Sequence, residues 1–203
     1  MKIIYFVFVF IMTNIFAFSQ DYNKYGVETA PKGLRVGAIA PTFEGVNQVG
    51  DNISLSELLK KGKVVVIFYR GYWCPYCSKY LKQYQDSLQL IVDKGASIVA
   101  ITPEQEDGVN KTLDDTEAEF DIISDKENII QKKYKVLFKV TNKYNAKIRT
   151  FLFADIAKNN GEEEAHLPVP ATFIIGQDGK IEFVQFDVNY KKRATVKDIL
   201  QNL

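Results

Sequence analysis

Cysteine, histidine and tryptophan are scarce in this chain: two, one and one among 203 residues. A structural zinc site takes four ligands. Cys74, Cys77 and the distant His166 offer three, which argues against a metal centre. Neither sign of charge is in excess, with 26 basic and 25 acidic residues, and the first nineteen residues contain only Lys2 of these. That balance gives no support to nucleic acid or an anionic membrane as a partner. No internal repeat and no low-complexity tract is present. The longest N-terminal apolar stretch, Ile3 to Met12, is broken by Thr13-Asn14 and falls short of a membrane span. No cysteine follows it, so a lipid anchor at that position is excluded.

Lys2 followed by that stretch has the form of a secretory signal, and Ala17-Phe18-Ser19 places small residues where cleavage before Gln20 requires them. Residues 1–19 are therefore read as a signal peptide and the protein as exported, periplasmic or extracellular, with no stable membrane association after cleavage. An uncleaved N-terminal anchor is the alternative. Residues 20–39, polar and carrying Gly26, Pro31, Gly33 and Gly37, read as a tether or irregular lead-in. The remainder, 40–203, with ordinary hydrophobic (46%) and charged (25%) content for the whole chain, suits one well-buried domain.

What is present is concentrated in Tyr69-Arg70-Gly71-Tyr72-Trp73-Cys74-Pro75-Tyr76-Cys77. An apolar run, Val64 to Phe68, precedes it, and apolar residues at helical spacing (Leu81, Tyr84, Leu88, Ile91, Val92) follow it. A buried strand feeding a helix thus carries Cys-x-x-Cys at the junction. Free N–H groups and the helix dipole stabilise a thiolate there, and this motif lowers a thiol from its ordinary pKa of ~8.5. Cys74 falls at the N-cap and Pro75 at the first helical position, where a missing donor costs nothing. Cys74 is predicted to be an exposed nucleophile and Cys77, one turn on, a more buried resolving thiol. A structural disulfide closing so short a loop would stabilise little; two inert core cysteines are the other reading.

Along the rest of the chain, Thr42–Val46 and Asn52–Leu55 read as short strands around Val49-Gly50-Asp51, with a short helix after Ser54 or Ser56. Gly95 ends the long helix that starts at the cysteines, and Ala96–Ile101 is the next strand, completing a parallel crossover. Pro103–Glu119 reads as an acidic, solvated helix, Phe120–Ser124 as a strand and Lys126–Tyr134 as a short helix. Val136–Pro168 is taken as a partly helical insertion beside the site, either shaping a pocket or covering the sheet. Val169–Ile175 and Ile181–Val188, around Asp178-Gly179, form a hairpin. Pro170 is a candidate cis peptide. Arg193–Leu203 is an amphipathic terminal helix. His166 reads as a residue of the insertion rather than a catalytic base, and Trp73 as packing over the sulfurs.

Strand, Trp-Cys-Pro-Tyr-Cys, helix, strand, helix, then Val-Pro-Ala-Thr-Phe and an Asp-Gly hairpin resemble the thioredoxin superfamily over about Ala40 to Leu203. Arg70 to Cys77 together with His166 to Phe173 resemble its peroxiredoxin-like branch, the alkyl hydroperoxide reductase and thiol-specific antioxidant group. The resemblance implies an α/β thioredoxin-like fold: a central mixed sheet flanked by helices, an N-terminal strand extension, and the insertion before the last hairpin. It implies a hydroperoxide substrate, Cys74 oxidised to a sulfenic acid, a Cys74–Cys77 disulfide, a thioredoxin-type electron donor, and no cofactor beyond the sulfurs. Two positions depart from the pattern. The Pro and Thr/Ser that precede the reactive cysteine in that group are Ile67 and Gly71 here, and its second-motif Arg is Pro170. Arg70 is the candidate replacement for the missing polarising groups, and Pro170 instead matches the partner-facing proline of thioredoxins. The residues thus leave open a thiol–disulfide oxidoreductase acting on an exported protein disulfide, or a non-catalytic thioredoxin-like binding module. Nothing in the sequence specifies an oligomeric state.

Overall fold

Asn47 turns the chain back on itself, its side-chain oxygen accepting from the N–H groups of Val49 and Asp51. The flanking strands, β1 (Glu44–Val46) and β2 (Asn52–Ser54), pair antiparallel in this computed structural model, which describes residues 22–203. The expected signal peptide lies outside the described residues. The lead-in from Tyr22 begins with a 3-10 turn and packs on the domain: Val27 is buried and bridges Val140, and Ile39 bridges Lys180.

Helix α1 (Leu55–Lys61) leads into β3 (Lys63–Phe68), then α2 (Pro75–Asp86), α3 (Leu88–Val92) and β4 (Ala96–Thr102). The single long helix expected after the cysteines is two helices, broken at Ser87, whose backbone leaves the helical region at φ −114° and ψ 9°. Next come α4 (Glu106–Thr116), β5 (Asp121–Ser124) and α5 (Ile129–Lys133). The insertion folds as β6 (Leu137–Lys139), α6 (Asn142–Leu152), α7 (Ile156–Asn160) and β7 (His166–Pro168), with β6 and β7 paired as a separate ribbon. The chain closes with the hairpin β8 (Ala171–Ile175) and β9 (Ile181–Phe186), then α8 (Val196–Asn202), which opens on a Thr195–Asp198 capping box.

The main sheet has the order β5-β4-β3-β8-β9: β3, β4 and β5 run parallel, and β8 and β9 complete it antiparallel. Its central strand is buried on both faces, which explains the unbroken apolar run. Because successive side chains alternate, Val65 and Ile67 pack with Leu81, Tyr84 and Ile91 on one side. Val64, Val66 and Phe68 pack with Phe43, Tyr134 and Phe173 on the other. This is the mixed sheet flanked by helices that the sequence implied.

Candidate active site

The cysteines stand at the C-terminal edge of β3. Tyr69 donates to the Ile101 carbonyl, extending the strand pairing one residue, before the chain turns at Gly71 (φ +145°). Cys74 donates to the Gly71 carbonyl at 3.1 Å and takes the N-cap position of α2 with Pro75 next, as its sequence predicts. Its carbonyl accepts from Cys77 at 2.7 Å and Ser78 at 3.2 Å, closing the first turn.

Two expectations need correction here. Cys74 is fully buried, not exposed, as is Cys77; the sulfurs are unlinked thiols inside the cluster that joins α2 to the sheet. The Cys74 side chain also makes no capping bond to its own helix. Its donor is Arg70, whose Nη2 lies 3.0 Å from Sγ. The physical reason is the packing around Arg70, which is itself 2% exposed. Its Nη1 donates to the Tyr144 hydroxyl at 2.7 Å, and its guanidinium carbon lies 3.9 Å from the Tyr190 ring centroid and 5.1 Å from that of Trp73. Aromatic faces and a hydroxyl thus hold a desolvated cation against the sulfur. Burial opposes Arg70's charge, but Cys74, Tyr144 and Cys77 outweigh it and keep the guanidinium protonated.

Burial raises both thiols, and their neighbours push the two in opposite directions. Cys74 lies well above the ordinary thiol range because burial and its hydrogen bond to Cys77 outweigh Arg70. At Cys77 burial is overcome by the hydrogen bond from Cys74 and the charges of Arg193 and Arg70, so it lies well below. Cys77 is thus the sulfur favoured as thiolate, with Arg193 and Arg70 as its cations.

Glu104 is the residue that sequence reasoning misplaced. The acidic run places it in a solvated helix, yet it is fully buried just beyond β4, before α4 begins. Its Oε2 accepts from the Tyr72 N–H at 2.9 Å, while Oε1 has no partner among the described residues. The reason is spatial: the β4 end and the Gly71–Trp73 turn share one sheet edge, and the turn needs an acceptor. A Cβ at Gly71 would collide with the carboxylate and approach the Trp73 indole nitrogen to 2.6 Å, and one at Gly108 would approach the carboxyl carbon to 2.8 Å. Burial pushes this carboxyl up to about 8.

Of the remaining candidates, Trp73 is buried beside Arg70, its indole N–H without a partner among the described residues. Pro170 is buried one position beyond the Phe68–Ala171 pair, at the same sheet edge as the site. Its peptide bond is trans, correcting the expected cis form; β7 and β8 are separated here by two residues, Val169 and Pro170. His166 sits in β7 with Nδ1 3.2 Å from Glu162 Oε2, in an ion-pair geometry away from the sulfurs. Tyr144, Tyr190 and Arg193 reach the site from 74 to 120 residues beyond their partners, a range at which no local motif marks them.

Comparison with known proteins bears on the fold and the family. The AhpC/TSA family model matches residues 36–184. The chain is 37% identical over 106 residues to the bcp protein of Buchnera aphidicola, assigned as a peroxiredoxin, covering 51% of this chain and 65% of that one. The corresponding Helicobacter pylori J99 protein is 28% identical over 84% of this chain and 98% of its own. The thiol-disulfide oxidoreductase ResA of Bacillus thuringiensis is 24% identical over 77% of this chain and 72% of its own. Among solved structures, peroxidoxin BcpB from Mycobacterium tuberculosis superposes with a TM-score of 0.64 at 20% identity, covering 83% of this chain and 96% of that one. A thiol redox function follows from these likenesses and from the paired sulfurs.

Proposed function

This chain belongs to the AhpC/TSA family, and from that premise we propose that it reduces hydroperoxides with the Cys74/Cys77 couple, electrons returning from a thioredoxin-type donor. The observation that carries this reading is the Arg70 guanidinium, 3.0 Å from Cys74 Sγ in a desolvated site. It supplies the positive charge that a sulfur attacking a peroxide oxygen needs, and that Gly71 and Pro170 do not provide from the family's usual positions. Cys74 attacks one peroxide oxygen; the O–O bond breaks, the alkoxide leaves and takes a proton, and the sulfur becomes a sulfenic acid. Cys77 then attacks that sulfur, forming the disulfide and expelling hydroxide, which leaves as water. A donor dithiol restores both thiols by exchange.

Mixing the reduced protein with hydrogen peroxide and following the fluorescence of Trp73 tests this. Oxidation on the order of a hundredfold faster than that of a free thiol at the same pH is expected. A rate no greater than that of the unfolded chain rejects the peroxidase reading. Thiol–disulfide exchange is the second reading, favoured by the two sulfurs sharing one helical turn and by the likeness to ResA. Under it the same sample reacts faster with a protein disulfide than with peroxide. We further propose that the enzyme acts after export, so that the mature N-terminus read by mass spectrometry is Gln20; a chain retaining Met1 contradicts this.

A further inference from the structure

Cys77 has a cation of its own. Arg193 Nη2 lies 3.5 Å from Cys77 Sγ, on the opposite sulfur of the pair from Arg70. The segment that delivers it, between β9 and α8, is tied at several points. Lys192 pairs with Asp187 at 2.9 Å and its N–H donates to the Asn189 carbonyl. Arg193 Nη1 donates to the Lys192 carbonyl at 3.3 Å. On the other side, the Ala194 carbonyl accepts from the buried Tyr84 hydroxyl of α2 at 2.6 Å, and Thr195 opens the capping box. Arg193 is thus held against the cysteine helix rather than free in solvent. The same segment lays Tyr190 on Arg70.

We propose that Arg193 is the charge partner of Cys77, holding it as the thiolate that takes the Cys74 proton when Cys74 attacks, and that then closes the disulfide. The groups facing Cys77 are Cys74, Arg70, Arg193, Tyr69 and Glu104. Arg193 is the cation that touches Cys77 without touching Cys74, so its removal separates the two sulfurs. The proton moves from Cys74 to Cys77 and then onto the departing alkoxide, returning Cys77 to the thiolate. A solvent proton completes the water released on disulfide closure.

The assignment of the disulfide-closing step rests on the peroxide reading; the charge pairing does not, and a thiolate titration tests it alone. Thiolate absorbance at 240 nm is followed against pH in Cys74→Ser and Cys77→Ser proteins, each with and without Arg193→Gln. The expected result is a midpoint for Cys77 raised by about one pH unit or more, with that of Cys74 unmoved and Arg193→Lys restoring the original value. Equal movement of both sulfurs, or of neither, overturns the proposal. Should Arg193→Gln lose its near-ultraviolet dichroism, Arg193→Lys decides: a folded lysine variant must keep Cys77 low, and one that does not refutes the pairing. In the two-cysteine protein, the pH at which disulfide closure after oxidation begins to slow moves up with the Cys77 midpoint.

Discussion

The two sides of the main sheet are both packed with apolar side chains, but only the front one surrounds a reactive sulfur. Behind β3, Phe43, Phe68, Tyr134 and Phe173 form a continuous aromatic cluster, with ring centroids 5.2 to 6.2 Å apart. In front of it, set among Leu81, Tyr84 and Ile91, stand two thiols, Arg70, Glu104 and a Trp73 N–H with no partner among the described residues. Apolar burial stabilises at roughly 25 cal/mol per Å², whereas a buried charge is tolerated only when paired. The difference teaches that the rear cluster only packs, while the front cluster packs and also keeps a cation beside a reactive sulfur.

Changes on either face should separate accordingly. Cys74→Ser, the largest expected effect, removes the reacting atom: peroxide consumption should fall to the buffer rate while the thermal midpoint moves little. A variant that retains turnover would shift the chemistry to Cys77. Phe173→Ala empties the centre of the rear cluster and should cost about 3–5 kcal/mol in a urea titration, leaving peroxide reactivity per folded molecule unaltered. A parallel loss of reactivity would mean that the two faces are mechanically coupled.

Glu104 makes the front face pH-dependent. Its folded value of about 8 lies above the ordinary carboxyl value of 4.5, so the native state holds a proton that the unfolded chain has released. Stability from this group is complete below pH 4.5, falls as pH rises through that window, and levels off above 8. Glu104→Gln should flatten this slope and stabilise the alkaline form by about 2–4 kcal/mol, measured as urea unfolding at several pH values. A slope unchanged in the variant would assign the dependence to another group. Arg70→Met should lower the rate of Cys74 oxidation by about ten- to a hundredfold, the range of one charge-assisted hydrogen bond. An unchanged rate would remove Arg70 from the chemistry.

The rear face was legible in the sequence and the front face only in part. Alternation does not show in Val64 to Phe68, yet its continuity names a strand covered on both sides, and the Cys-x-x-Cys junction follows from Pro75 and helical spacing. Burial of Cys74 did not follow, because the Arg70 that lies against it is held by Tyr144 in the insertion and Tyr190 in the last connection, residues with no local mark. Glu104 was hidden by composition: the acidic run Glu104 to Asp107 reads as one solvated face, but Glu104 precedes the helix and answers to the Tyr72 N–H, while Glu106 and Asp107 are exposed. Spacing reports periodic elements well; it says little about a side chain whose partner is a turn on another strand.

The smallest test applies one chemical change to both faces. Tyr134 and Tyr144 are both buried tyrosines, yet the Tyr134 hydroxyl has no partner among the described residues, whereas that of Tyr144 accepts from Arg70 at 2.7 Å. Deleting an unpaired buried hydroxyl relieves a desolvation cost, so Tyr134→Phe should be neutral or stabilising by up to about 1 kcal/mol. Deleting the paired one leaves a guanidinium N–H without its acceptor, so Tyr144→Phe should destabilise by about 1–3 kcal/mol and slow oxidation of Cys74. The two variants differ from the parent by the same single oxygen atom, so opposite signs in urea unfolding measure the contrast between a face that only packs and one that holds charge. Equal signs would mean that Arg70 is held by its aromatic neighbours alone and that the Tyr144 bond is incidental.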